Sequence, residues 1–310
     1  MTNSVIAIEV SGLTKYYGKL AAVNDLTLRI EQGEIYGFLG LNGAGKTTTI
    51  RMLLGMIKPD AGTVSLFGTK IRPGLKSIWE KVGYMVETPH AYPELTVREN
   101  LDIVRRLRYL KNSDTVDTVI GQLGLQREVD KPAGKLSLGN AQRLGLAKAL
   151  IHHPELLILD EPVNGLDPAG IVEIRNLLRD LAEKSGVTIF ISSHILSEVS
   201  KLTTRIGIIH EGRLINELNS REIEEQEQRY LEIDTRDNNV ALHILQEAGY
   251  PAQQDSNHSI YIEDNRALEH PDSVATLLVE SKCPPTRLAV EHSDLETYFL
   301  SLVGRGGELK

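Results

Sequence analysis

The run Gly40-Leu41-Asn42-Gly43-Ala44-Gly45-Lys46-Thr47 fits G-x-x-x-x-G-K-[ST] at every fixed position. Glycines at this spacing let backbone N–H groups turn inward and cradle phosphate oxygens. Lys46 is placed to reach β- and γ-phosphates, and the Thr47 hydroxyl to bind Mg2+. Asn42, Ala44 and Thr48 belong to the same loop-to-helix segment and count among the nucleotide-binding positions. A second group closes the apolar run Leu156-Leu157-Ile158-Leu159-Asp160-Glu161. A strand ending in two acids delivers carboxylates to the sheet edge where open α/β sheets bind ligands. Asp160 is expected to hold Mg2+ through water, and Glu161 to orient and deprotonate an attacking water. Alone, an Asp-Glu pair after a strand is also what a solvated strand end looks like. The upstream phosphate loop turns it into a site for nucleotide hydrolysis.

Such groups need a sheet behind them. Between Val5 and about Leu218, short apolar runs alternate with helical patterns, which predicts an α/β domain with a mostly parallel core sheet. Ile35 to Leu39 reads as the strand before the phosphate loop, and Thr48 to Ile57 as the helix after it. Ile6 to Val10 and Leu26 to Ile30 lie close together and predict an antiparallel edge layer. Thr96 with Glu99 forms a capping box ahead of Leu101, Val104, Leu107 and Leu110, so Thr96 to Gly124 reads as a helical insert. The helical subdomain spans about residues 88–150. The polar stretch Ser220 to Gln228 reads as a solvated helix or linker, which divides the chain into domains at 1–219 and 220–310. Beyond it, strands at Arg229–Asp234, Ser259–Glu263 and Thr286–Glu291 alternate with helices at Val240–Ala248, Ser273–Lys282 and Asp294–Val303. This predicts a small α+β domain of ferredoxin-like type, with one strand of that pattern not evident.

The 310 residues are 41% hydrophobic and 25% charged, enough for a sizeable core. The net charge of −8 argues against sequence-independent nucleic-acid binding, which needs clustered Lys and Arg. The single cysteine, Cys283, has no partner for an internal disulfide and fits a reducing cytoplasm. No apolar run approaches the roughly 20 residues needed to cross a bilayer. Met1 to Val10 lacks the basic start and long apolar stretch of a signal peptide. A protein of this kind acting at a membrane would be held there by a partner.

From Tyr17 to His194 the chain resembles the ATP-binding-cassette (ABC) ATPases, with a P-loop NTPase core, an antiparallel β edge layer and a helical signature subdomain. Leu136-Ser137-Leu138-Gly139-Asn140 is similar to the family signature LSGGQ, departing from it at Leu138 and Asn140. The resemblance implies that Ser137 and Gly139 donate to the γ-phosphate of an ATP held by a second copy. Asn164-Gly165-Leu166-Asp167 resembles the D-loop, with Asp167 coupling the two ATP sites. His194 resembles the switch histidine that contacts γ-phosphate. Tyr17 matches the aromatic that stacks on adenine, with Tyr16 an adjacent rival. Glu87 stands where the family usually has a Gln that binds Mg2+ and senses the transmembrane partner, and the resemblance implies that Glu87 holds Mg2+ with Thr47 and Asp160. That Glu, Tyr92-Pro93-Glu94-Leu95-Thr96 and residues 164–170 resemble the bacitracin- and lantibiotic-resistance exporters.

The resemblance implies ATP hydrolysis in a head-to-tail dimer with a second copy. The driven partner would be a separate multi-span permease, with this chain peripheral on the cytoplasmic face of the membrane. The alternative is a soluble cassette ATPase acting on ribosomes or DNA. Translation-type members usually carry two cassettes, and this chain has one phosphate loop. DNA-repair types need a long coiled coil between phosphate loop and signature, and the stretch from Lys46 to Ser137 has no room for it. His152-His153 precedes Pro154 without metal-ligand partners and reads as surface. Trp79 reads as a packing residue.

Overall fold

Alternating apolar and polar residues bury one face of Leu20–Glu31, with Val23, Leu26, Leu28 and Ile30 inside. In the computed structural model this run, β2, pairs antiparallel with Ile6–Tyr17 (β1). The structure describes residues 5–72, 75, 77–87, 90–195, 199–226, 229–255, 258–292, 298–299 and 302. β1 runs beyond the expected Val10 because register shifts near Leu13 and Lys15 keep it paired, and so it carries Tyr17 to its end. Ala61–Leu66 (β4) and Thr69–Lys70 (β5) complete a four-stranded sheet, ordered β2-β1-β4-β5.

Three runs are buried at every position: Ile35–Leu39 (β3), Leu156–Asp160 (β7) and Thr188–Ser193 (β8). Strands covered on both faces belong at the centre of a parallel sheet. With Val82–Met85 (β6), Arg205–His210 (β9) and Arg213–Asn219 (β10), they form a six-stranded sheet ordered β10-β9-β3-β8-β7-β6. Only the β9–β10 pair in it is antiparallel. Phe38 and Phe190 meet at 5.3 Å between centroids, within a core shared with the antiparallel layer.

The helix after the phosphate loop, α1, is Lys46–Leu53, shorter at its C-terminal end than expected because Gly55 takes a φ of 63°. The expected helical insert is two helices, Val97–Leu107 (α2) and Asp114–Gln122 (α3). Tyr109, at φ 56°, turns the chain between them. The capping box of Thr96 and Glu99 is present. Leu138–Leu150 (α4) and Pro168–Ser185 (α5) begin on Ser137 and Asp167, each capping with its own side chain.

The chain divides into two compact units, Met1–Ser220 and Arg221–Lys310. Ser220–Gln226 (α6) precedes Arg229–Thr235 (β11), Asn238–Glu247 (α7), Gln253–Gln254 (β12), Ile260–Ile262 (β13), Asn265–Glu269 (α8), Pro271–Glu280 (α9) and Pro285–His292 (β14). The sheet order β12-β13-β11-β14, all antiparallel, has the β-α-β-β-α-β connectivity of a ferredoxin-like unit. Its core is built from Leu231, Ile233, Leu245, Ile260, Ile262 and Leu278. The strand missing from the sequence pattern is β12, two glutamines with no apolar signal. The helix expected at Asp294–Val303 falls mostly outside the described residues.

Candidate nucleotide site

β3 ends at the carboxyl edge of the central sheet, and the phosphate loop starts there. Gly40 N–H donates to the Ser193 carbonyl at 3.3 Å, which ties the loop to β8. A Cβ at Gly40 would lie 2.5 Å from the Ile209 carbonyl, and one at Gly45 (φ 108°) 2.4 Å from that of Ala22. Both glycines are therefore fixed by close backbone neighbours, whereas Gly43 (φ 82°) faces open space. Gly212 N–H donates to the Ala44 carbonyl at 3.0 Å, so the β9–β10 turn braces the loop from behind.

Lys46 is only 6% exposed. Its ammonium donates to the carbonyls of Gly40 (2.6 Å) and Leu41 (3.2 Å) and lies 3.4 Å from Glu161 Oε1. Thr47 Oγ1 donates to Asp160 Oδ2 at 2.8 Å, and Ser192 Oγ to Asp160 Oδ1 at 2.5 Å. Glu161 takes a φ of 50°, a left-handed conformation that costs a non-glycine residue about 1–3 kcal/mol. Its N–H is held by the Ser192 carbonyl and hydroxyl, at 3.2 and 3.1 Å. The turn swings its carboxylate off the end of β7, and His194 Nδ1 meets Glu161 Oε2 at 2.6 Å. One carboxylate thus joins the loop lysine to the histidine at the end of the next strand.

Lys46, Thr47, Glu161 and His194 face a cavity of about 990 Å³, lined also by Tyr17, Asn42, Gly43, Gly45 and Thr48. That is room for a nucleotide. Among the described residues Tyr17 lines it and Tyr16 does not. A second cavity of about 230 Å³ is lined by Thr47, Glu87, Leu138, Gln142, Asp160, Glu161 and Asn164. Glu87, at φ 57°, is ion-paired to Arg51 at 2.5 Å, so a cation already neutralises its carboxylate.

Ser137, Gly139 and Asp167 line neither cavity. Ser137 Oγ accepts from Asn140 N–H at 3.3 Å, and Asp167 Oδ1 from Gly170 N–H at 3.0 Å. Leu138 lies over Gly165: a Cβ there would fall 2.2 Å from Leu138 Cδ2. The leucine in the signature therefore packs onto the D-loop glycine. Gly40 and Ala44 shape the loop from below without lining the large cavity.

Several residues escaped the sequence reading. Ser192 buttresses both acids, and the only signal was a hydroxyl beside a strand end. Gln142 donates to the carbonyls of Glu161 and Asn164, at 3.3 Å each, and so joins the signature helix to the turn after β7. Asn24, Glu211, Gly212 and Arg213 line the large cavity through pairing that no local pattern announces. His152 is half-buried rather than on the surface, because its Nε2 reaches the Val82 carbonyl at 3.1 Å. Burial, with the charge of Arg108, pushes its pKa down to about 4. Trp79 packs against the core and donates to the Leu75 carbonyl.

The ABC transporter family profile matches residues 23–164. Over 96% of the chain, the sequence is 44% identical to the bacitracin transport ATP-binding protein BcrA of Bacillus licheniformis, covering 98% of that protein. Over 68% of the chain it is 39% identical to the lantibiotic transport ATP-binding protein SrtF of Streptococcus pyogenes, covering 90% of it. A solved structure described as the ATP binding subunit of an ABC transporter superposes with a TM-score of 0.64 at 29% identity, covering 71% of this chain and 92% of that one. With this site on this fold, and relatives matched along nearly its whole length, the chain belongs to the ABC transporter family as an ATP-binding ATPase subunit.

Proposed function

We propose that the chain binds ATP and hydrolyses it on Glu161, powering a separate multi-span permease that exports an antimicrobial peptide or a similar antibiotic. The observation that carries the reading is the sharing of the Glu161 carboxylate between Lys46 and His194 at the mouth of the cavity. A polyphosphate entering the loop gives Lys46 an anionic partner in place of two carbonyls and Glu161. Glu161 Oε1 then becomes available to orient a water and accept its proton as the water oxygen attacks the γ-phosphorus, the bond to the bridging oxygen breaks and ADP leaves. His194 holds the other carboxylate oxygen and supplies a donor toward the γ-phosphate. Tyr17 offers a flat surface for adenine stacking.

Mg2+ suits the hard oxygens of Thr47 and Asp160, already within hydrogen-bond distance of each other. Gln142 lines the same small cavity, and its Oε1 is buried without a partner among the described residues. When bound, the ion would neutralise charge on the phosphates. Glu87 lines the same small cavity and holds Arg51 through Oε1.

We assign the nucleotide chemistry to residues 1–219 and an accessory role to 220–310. The absence of Ser137 and Gly139 from this chain's own cavity supports a head-to-tail dimer in which they complete the partner's site. A capped helix N-terminus suits that task. A cleft of about 610 Å³, lined by Glu87, Tyr84, Leu107 and Arg108 among others, is the candidate permease seat. Glu87 lines both it and the small cavity. No helix among the described residues is long and apolar enough to cross a membrane, which supports a peripheral position on the cytoplasmic face held by the permease. The names of the relatives support the cargo class.

The test measures phosphate release and ATP-dependent dimerisation. Lys46→Ala loses nucleotide binding or turnover. Glu161→Gln binds ATP and accumulates as the closed dimer, with turnover down roughly 10²–10⁴-fold. Unchanged turnover in either variant overturns the site assignment.

A further inference from the structure

The β9–β10 turn brings charge to the large cavity at a backbone cost. His210 pairs with Arg213, so Glu211 and Gly212 form the whole turn. Both have positive φ, 46° and 76°, the geometry of a two-residue hairpin turn. Gly, Asn and Asp favour that geometry and Glu does not, so Glu211 holds a strained backbone beside the cavity it lines. The turn is fixed on two sides. Gly212 N–H donates to the Ala44 carbonyl at 3.0 Å, and Asn24 N–H donates to the Gly212 carbonyl at 2.8 Å. A Cβ at Gly212 would lie 2.8 Å from the Ala22 carbonyl oxygen. Arg213 therefore leaves a turn wedged between β2 and the phosphate loop.

The Arg213 guanidinium is braced by a neutral group. Asn24, with its carboxamide oxygen toward Arg213, accepts from Nη2 at 2.7 Å and from Nε at 3.2 Å. A guanidinium has further N–H groups to donate, and no carboxylate, Glu211 included, pairs with Arg213 among the described residues. Lys46, the other Lys or Arg lining this cavity, already holds two carbonyls and Glu161. Arg213 stands on the loop side: a Cβ at Gly45, the residue before Lys46, would lie 3.5 Å from Gly212 Cα. Tyr17 pairs with Leu20 at the other end of the β2 wall, which reaches Asn24 along the cavity. A nucleotide with its base on Tyr17 and its β- and γ-phosphates at Lys46 would bring its α-phosphate between them, beside Arg213. Guanidinium groups suit phosphate oxygens because their fork of N–H groups matches paired acceptors.

We propose that Arg213, braced by Asn24, binds the α-phosphate of the nucleotide. This rests on the nucleotide reading above and adds a cation that lies outside the phosphate-loop pattern. Lys46 would hold the end of the polyphosphate that reacts, and Arg213 the end that stays with the nucleoside. The contact is common to ATP and ADP, so it would persist after the γ-phosphate is released.

The test measures affinities of the full chain for ATP, ADP and the dideoxy analogue of ATP, which lacks both ribose hydroxyls, by displacement of a fluorescent ADP. Arg213→Gln should weaken ATP and ADP alike by roughly tenfold at low salt, the size of one charge-assisted contact. The loss should be the same for the dideoxy analogue and should shrink at about 1 M NaCl, where exposed charges are screened. Asn24→Ala should give a smaller loss and add little to Arg213→Gln, because it acts through the guanidinium. Wild-type affinities in Arg213→Gln overturn the proposal while leaving the nucleotide reading intact. Loss with ATP alone would place the guanidinium on the γ-phosphate, and loss absent with the dideoxy analogue would place it on the ribose. Either result overturns the α-phosphate contact. Loss that salt leaves unchanged makes the role of Arg213 structural and overturns it as well. If wild type binds no nucleotide, the nucleotide reading fails and takes this one with it.

Discussion

Ser192→Ala isolates the buttress beneath both acids. The hydroxyl is fully buried, donates to Asp160 Oδ1 at 2.5 Å and accepts from Glu161 N–H at 3.1 Å. Asp160 itself is 2% exposed, so no bulk water replaces the lost donor. A hydrogen bond to a buried charge contributes about 1.5–3 kcal/mol. Without nucleotide, that loss should lower the thermal midpoint by about 3–12 °C for a unit of this size. On the proposed role of Asp160 in holding Mg2+, the same energy corresponds to about 10–150-fold in turnover at limiting Mg2+. The assay is steady-state phosphate release against free Mg2+, paired with thermal denaturation of the unliganded protein. Ser192→Thr keeps a hydroxyl and should recover most of both losses. If Ser192→Ala matches wild type in Mg2+ dependence and midpoint, Asp160 is not positioned from below and the argument fails.

Gly45→Ala should destabilise by more than about 3 kcal/mol, because a left-handed residue is strained and its Cβ would lie 2.4 Å from a carbonyl. Gly43→Ala meets open space and should cost only about 1–2 kcal/mol, while still weakening nucleotide binding. Thermal midpoints rank the two. The His152 pKa falls from 6.5 to about 4 on folding, so the unfolded chain binds more protons between those values. Its contribution is therefore complete above pH 6.5 and is lost as pH falls toward 4. Urea midpoints against pH should show His152→Gln with a shallower slope in that window. Glu87→Gln should leave the Mg2+ half-saturation within about twofold, since Arg51 already neutralises the carboxylate. A tenfold rise would count Glu87 among the metal ligands.

The sequence made legible those features whose physics is local. A phosphate loop is a contiguous pattern because successive N–H groups must converge on one anion. Asp160 and Glu161 were visible because a strand buried on both faces leaves an uninterrupted apolar signature. The insert was harder: Tyr109 breaks its helical pattern at φ 56° without a Gly or Pro to announce it. Asn24 and Arg213 meet at the cavity only because β2, the phosphate loop and the β9–β10 turn converge there, from opposite ends of the first unit. β12 escaped because two glutamines at a sheet edge need no apolar residue. His152 misled because its half-burial depends on a carbonyl in β6, which no neighbour in sequence reveals.

The partners at this site bear on how nucleotide binding and coupling must work. Lys46 is held by Gly40, Leu41 and Glu161, Asp160 by Thr47 and Ser192, and Glu87 by Arg51. Each of these charges, proposed to be functional, already has a counterpart within the chain, so on that proposal ATP would exchange partners there rather than satisfy unpaired charges. Exchange at balanced energies gives little net affinity by itself. On the proposed assignment it would redistribute contacts: with phosphate on Lys46, the Glu161–His194 pair would lose its third member. Glu161 also carries the carbonyl to which Gln142 donates, so that redistribution reaches α4 without a long-range device. Lys148 stands further along α4 and lines the same cleft as Arg108. On that proposal, charges paired within the site let the chemistry wait for nucleotide and pass its effect along α4.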